Sequence, residues 1–224
     1  LPANYAAIAN EPSLLAANRE RTMRPGSEIA GWGEHQWRQY RWTYNRLTEV
    51  VDGLVGQVLA ALEQSPHANN TLIVFTSDHG EMGGSHQLKT KVYMYEEAVA
   101  VPMIVCPPRQ AEGSFTARVD RTHLVSGLDI FPTLCDFAGL TIPGSLEGLS
   151  LRPLVENKSD STAPHWRDHV VSEIDGSVQA RLVRTERYKY IAYGAGEDRE
   201  QFFDLDSDPG EMKNLISNQA MATE

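Results

Sequence analysis

The sequence predicts an α/β fold: a sheet flanked by helices, followed by a small antiparallel sheet. Three observations carry this. Leu72-Ile73-Val74-Phe75 is a short apolar run of β-branched and aromatic residues that ends in Thr76-Ser77-Asp78-His79-Gly80, the pattern of a buried strand in a parallel sheet. A long amphipathic stretch precedes it, giving the helix–loop–strand order of α/β proteins. Beyond Gly148 the pattern changes to alternating β-rich runs separated by turn residues.

Residues 1–33 hold Pro2, Pro12, Pro25, Gly26, Gly31 and Gly33 and read as an irregular arm lying on something larger, with one short helix at Ser13–Arg21. Residues 34–63 carry Trp37, Tyr40, Tyr44, Leu47, Val51, Leu54, Val55, Val58 and Leu62 at three- and four-residue steps. That spacing predicts a helix with a core-facing stripe. Gly53 and Gly56 each cost about 1 kcal/mol against alanine inside a helix and imply close packing on the sheet. A short helix is expected at Tyr93–Ala98 and a second buried strand at Val99–Cys106, with Pro102 at its start or at an edge. Residues 107–120 read as a loop with an edge strand. Ile130, Phe131, Leu134 and Phe137 share one face of a helix that starts near Ser126 or Leu128 and stops at Gly139; Pro132 fits only its first turn.

Residues 155–165 read as an exposed connection, placing a domain boundary between 1–155 and 156–224. Strands are expected at Val170–Ile174, within Ala180–Tyr193 and at Gln201–Leu205. Ser207-Asp208-Pro209-Gly210 is a turn, and a terminal helix follows from Glu211.

The 20 basic residues against 30 acidic ones give a net charge of −10, which excludes the basic face that nucleic-acid binding needs. No apolar run reaches the roughly 18–20 residues of a membrane span. Cys106 and Cys135 are too few for a disulfide framework and read as buried apolar residues.

The chemistry gathers in Thr71–Lys91. Ligands collect beyond the carboxyl ends of strands in open α/β sheets. There the chain places Asp78, His79, three glycines, His86, Lys89 and Lys91. A carboxylate, imidazoles and ammonium groups suit a metal with an anionic substrate; a helix cap and an ordinary loop is the plainer alternative.

The block SDHGEMGGSHQLKTKVYMYEEAVAVPMIV closely resembles the strand–loop–strand of type I sulfatases, with S-D-H-G-E, a Gly-rich turn, a His, a Lys, Y-E-E and V-P-hydrophobic in order. LDIFPTLCDFAGL at Leu128–Leu140, LVRTERYKY at Leu182–Tyr190 and FFDLDSDPGEMKNL at Phe202–Leu215 resemble later segments of that family, so most of residues 36–216 is covered. The resemblance implies an alkaline-phosphatase-like sheet. It implies Asp78 and His79 as a late pair of metal ligands and Lys91, thirteen positions after Asp78, as the lysine on a sulfate oxygen. The implied metal is divalent, usually Ca²⁺. Histidine is an unusual calcium ligand, so His79 serves either Mn²⁺ or the sulfate and nucleophile. His86 matches a loop-organising histidine that could also touch substrate. Glu81, Tyr95, Glu96 and Glu97 match positions expected to be structural, and Lys89 is expected to be a solvated charge.

The family's nucleophile is a formylglycine made in a C/S-x-P-x-R motif. These 224 residues lack it: Cys106-Pro107-Pro108-Arg109 is followed by Gln110 where that motif needs its Arg. The resemblance therefore implies the C-terminal portion of a sulfatase acting on a sulfated small molecule or sugar. The isolated chain is expected to be inactive. Its sheet is expected to expose an apolar face that a missing N-terminal segment or an oligomer covers. A phosphonate monoester hydrolase or phosphodiesterase of the same superfamily, and a non-catalytic binding module, are the alternatives. His165, Trp166 and Arg181 are candidates to border the pocket. A periplasmic or extracytoplasmic location follows from family analogy alone.

Overall fold

The computed structural model describes residues 1–109, 117–156, 166–176 and 178–216. The chain divides into two compact units, each assembled from separated stretches: residues 1–49, 78–101 and 171–224, and residues 50–77 and 102–170.

The first unit is built on a four-stranded sheet in the order β3-β4-β5-β6, with β3 at His169–Ile174, β4 at Ala180–Thr185, β5 at Tyr188–Tyr193 and β6 at Glu200–Asp204. The β4–β5 and β5–β6 pairs are antiparallel, with Leu182 opposite Ile191 and Lys189 opposite Phe203. The alternation in these strands turns Ala180, Leu182, Ile191, Tyr193 and Phe203 to one buried face, as period-2 geometry requires. That face shares one core with Leu15 of helix α1 (Ser13–Met23), with Ile8 of the N-terminal arm, with Met82, Leu88, Met94 and Tyr95, and with Ala98 of the short helix α3 (Glu96–Val99). The loop after Asp78 is thus lined on its inner side by sheet and arm. A second anchor is Trp37 of helix α2 (Glu34–Glu63), fully buried and edge-on to Trp32 at 5.1 Å between centroids. Gly84, at φ 101°, packs against the Trp37 ring, where a Cβ would come within 3.1 Å of it.

The second unit contains β1 (Ile73–Thr76), β2 (Met103–Cys106), α4 (Ile130–Phe137) and α5 (Arg152–Val155). A 3-10 turn at Gly127–Asp129 leads into α4, and Ser126 with Asp129 forms its capping box. The fully buried Asp129 carboxylate also accepts from Arg167 (2.7 Å) and from the Leu149 N–H (2.8 Å). Pro132 sits in the first turn of α4.

Several expectations are corrected. β1 and β2 pair antiparallel, Ile73 with Cys106 through Thr76 with Met103; a four-residue apolar run reports a demand for burial, not a strand direction. Along α2 Trp37 is the one buried residue, while Leu47, Val50, Val51, Leu54 and Val58 are exposed. A methyl group added at Gly53 or Gly56 would meet nothing within 4 Å, so their smallness serves no packing among the described residues. Phe75 and Ile104, opposite one another in the ladder, are also exposed, in keeping with the expected uncovered apolar face. Cys106 is exposed and both cysteines are free. Residues 117–120 form no strand and 211–216 no helix. The remainder of the expected edge strand, most of the 155–165 connection and the tail beyond Ile216 lie outside the described residues.

Candidate active site

Asp78 and His79 follow β1 after a single residue, Ser77. Gly80 then passes so close to the backbone of Glu97 that an added Cβ would lie 1.9 Å from its carbonyl oxygen. The Gly80 N–H donates to the Ala98 carbonyl at 2.8 Å. No side chain fits there, so the turn after His79 is set by backbone contact. The Gly80 carbonyl can only accept, and it lies 2.8 Å from His79 Nδ1. This puts the His79 proton on Nδ1 and leaves the lone pair on Nε2. The Lys91 ammonium meets Nε2 at 2.6 Å. Asp78 accepts the His79 N–H at 3.0 Å, and its second oxygen is 3.3 Å from Nε2. Its side chain is 82% exposed against 36% for His79.

Asp78, His79 and Lys91 are therefore brought together. The exposed Asp78 carboxylate fits a hard cation. His79 offers one nitrogen lone pair, and it already faces the Lys91 ammonium. Among the described residues no group of three or more His, Cys, Asp or Glu side chains forms a ligand cage.

His86 is placed elsewhere. It is fully buried, with φ 54°, stacked on Tyr95 at 3.9 Å between ring centroids. Its N–H donates to the Asn4 carbonyl (2.7 Å) and its carbonyl accepts from Arg19 (3.0 Å). Burial pulls its pKa down to about 4, against a smaller upward pull from Glu97. A base neutral in the fold but protonated when unfolded stabilises above the unfolded pKa, and that stability is lost as pH falls from about 6.5 toward 4. The loss is expected to reach about 3 kcal/mol. His86→Asn, which tolerates a positive φ, should lack this acid-dependent loss in urea unfolding at pH 7 and pH 4.5.

Lys89 is not solvated. Its ammonium pairs with Glu28 and lies 5.8 Å from the Trp32 ring centroid and 5.3 Å from that of Tyr40. Glu96 pairs with Lys189 (3.1 Å), Glu97 accepts from Asn4 (2.6 Å), and the Tyr95 hydroxyl accepts from Gln201 (3.0 Å). Trp166 donates to the Leu124 carbonyl (2.8 Å) and Arg181 pairs with Glu173 (2.9 Å). His165 lies outside the described residues. Two further features that hold the loop carry no residue-type signal. One is Tyr40, which periodicity places in a core stripe; the other is the positive φ of Thr90 and Val92.

No helix among the described residues is long and apolar enough to cross a membrane. A family model described as Sulfatase matches residues 6–140, and one described as N-sulphoglucosamine sulphohydrolase, C-terminal, matches residues 84–223. A Delta 4,5-hexuronate-2-O-sulfatase from Bacteroides thetaiotaomicron is 34% identical over 200 residues, 86% of this chain and 40% of that relative. Arylsulfatase K from Xenopus laevis is 32% identical over 83% of this chain and 35% of its own length. Among solved structures, a 2-O GAG sulfatase superposes with a TM-score of 0.84 at 30% identity, covering 99% of this chain and 48% of that one. A phosphonate monoester hydrolase of Agrobacterium radiobacter superposes at 0.77 and 27% identity, with the same coverage. The chain thus spans less than half the length of each of these relatives. The two family models together run from residue 6 to residue 223, across the loop that joins Asp78, His79 and Lys91, and the chain belongs to the type I sulfatase family.

Proposed function

We propose that the whole protein hydrolyses a sulfate ester on a sugar, and that this chain supplies the anion-binding wall of its site. The observation that carries the reading is the Lys91 ammonium held 2.6 Å from His79 Nε2, beside the exposed Asp78 carboxylate. An ammonium carries three donors. One is used on His79, and two remain to hold a sulfate oxygen and offset the charge that grows there as the ester bond breaks. Asp78 would hold a divalent cation, Ca²⁺ or Mn²⁺, while the His79 Nε2 stays on the Lys91 ammonium. That cation would supply Lewis-acid polarisation of the sulfate oxygens. The nucleophile, a formylglycine in this family, is assigned to sequence outside these residues. The names of one relative, a Delta 4,5-hexuronate-2-O-sulfatase, and of one solved structure, a 2-O GAG sulfatase, support a 2-O-sulfated uronate as the substrate class.

The fold likeness to a phosphonate monoester hydrolase supports a second reading. The full-length protein, assayed on a 2-O-sulfated unsaturated uronate disaccharide, an aryl sulfate and a phenylphosphonate monoester, should prefer the sulfates. A chelator should abolish turnover and Ca²⁺ or Mn²⁺ should restore it. Faster phosphonate turnover would favour the second reading. Turnover that survives thorough chelation would remove Asp78 from a metal role.

A further inference from the structure

Lys91 sits in a short exposed span with an unusual backbone. Thr90 is at φ 66° and Val92 at φ 77°, a left-handed region that β-branched residues rarely adopt. Such outliers persist only where their surroundings over-determine them, and they gather at functional sites. Here the surroundings can be named. A single carboxylate oxygen, Glu81 Oε1, accepts from the Thr90 N–H at 2.7 Å, the Gly83 N–H at 3.1 Å and the Tyr40 hydroxyl at 2.9 Å. The Met82 N–H donates to the Thr90 carbonyl at 2.8 Å. Before this span Leu88 is buried and Lys89 is held by Glu28, Trp32 and Tyr40; after it Tyr93 is buried. Burial, and then the Glu81 acceptor, raise the Tyr40 pKa well above that of a free phenol. Tyr40 therefore remains a donor across the working pH range.

We propose that Glu81 is a positioning residue for Lys91. Clamped from outside the loop by Tyr40, it fixes Thr90 in its left-handed conformation and so aims the neighbouring ammonium at His79 and the sulfate. The proposal rests on the reading of Lys91 as the sulfate-binding cation. Without Glu81, Thr90 relaxes to negative φ and the Lys91 side chain swings toward solvent. A displacement of about 1 Å at a reacting centre costs on the order of 10²-fold in rate.

The test uses the full-length protein with Glu81→Ala, Glu81→Gln, Tyr40→Phe and Lys91→Ala, alone and with each of the others combined with Lys91→Ala. Glu81→Ala should lower kcat/KM on a sulfate ester by about 10²-fold. Glu81→Gln, which keeps the accepting oxygen, should recover most of that. In the Lys91→Ala background each change should add almost nothing, because residues acting through one group are non-additive. The second readout is the ¹⁵N resonance of His79 Nε2 in histidine-labelled protein, which reports the Lys91 contact without turnover. Glu81→Ala should move it as Lys91→Ala does. Equal losses with and without Lys91, or an unmoved resonance, overturn the proposal. Should Lys91→Ala leave sulfate turnover intact, the sulfate reading of Lys91 fails and the resonance alone decides the clamp. Should Glu81→Ala fail to fold, Tyr40→Phe, which removes one donor only, decides by the same two readouts.

Discussion

Lys91→Ala is expected to lower kcat/KM for a sulfate ester by about 10²–10³-fold, the usual loss when one preorganised donor to a developing charge is removed. The reason is where the ammonium sits. It is exposed at its own position yet held 2.6 Å from His79 Nε2, so its charge is directed by geometry and not by burial. Fold stability should barely change, since exposed side chains away from caps and networks are usually worth less than about 0.5 kcal/mol. Lys91→Arg should rescue little. A planar guanidinium cannot reproduce one donor on an imidazole nitrogen and two on a tetrahedral anion. Steady-state kinetics of the full-length variants, with thermal midpoints alongside, read both halves. A loss under tenfold would remove Lys91 from the reaction.

Lys189→Ala should destabilise the fold by roughly 3–5 kcal/mol, the range for breaking a buried ion pair from one side. Lys189 is fully buried on β5, 2.8 Å from Glu211 and 3.1 Å from Glu96. Glu211 is itself buried and accepts the Glu96 N–H at 2.6 Å. Burial raises the Glu211 pKa to about 7, with Lys189 pulling the other way. A carboxyl raised above its unfolded value of 4.5 stabilises below that value, and this contribution is lost as pH rises through about 7. Removing Lys189 takes away the downward pull, so the defect should shrink as pH falls and Glu211 becomes neutral. Urea unfolding of Lys189→Ala at pH 5 and pH 8 tests this: a penalty independent of pH would show that the lost stem packing, not the stranded carboxylate, dominates. His86 acts with the opposite sign over an overlapping window, so the parent protein shows only the difference between the two.

Part of the candidate site was legible in residue types and in the family resemblance. Asp78 and His79 stand just beyond a strand end, Lys91 lies in the loop that follows, and the structure brings the three together. The C-terminal sheet was legible because alternation survives at Ala180, Leu182, Ile191 and Tyr193. The rest depends on tertiary partners. Lys189 takes an inward position in its strand only because Glu96 and Glu211 arrive from distant segments. Glu81 is an ordinary acid until Tyr40, Gly83 and Thr90 converge on one of its oxygens. The direction of β1 and the uncovered stripe of α2 turn on what lies beside them, which periodicity does not encode.

That stripe also governs how the isolated chain behaves in solution. A net charge of −10 holds molecules apart at low ionic strength. At about 0.1 M salt the repulsion reaches only some 10 Å, and excluded salts such as sulfate strengthen apolar association. The exposed Leu47, Val50, Val51, Leu54 and Val58 are then expected to draw molecules together, which light scattering against salt concentration would read. The chain is expected to salt out earlier than its acidity alone would suggest.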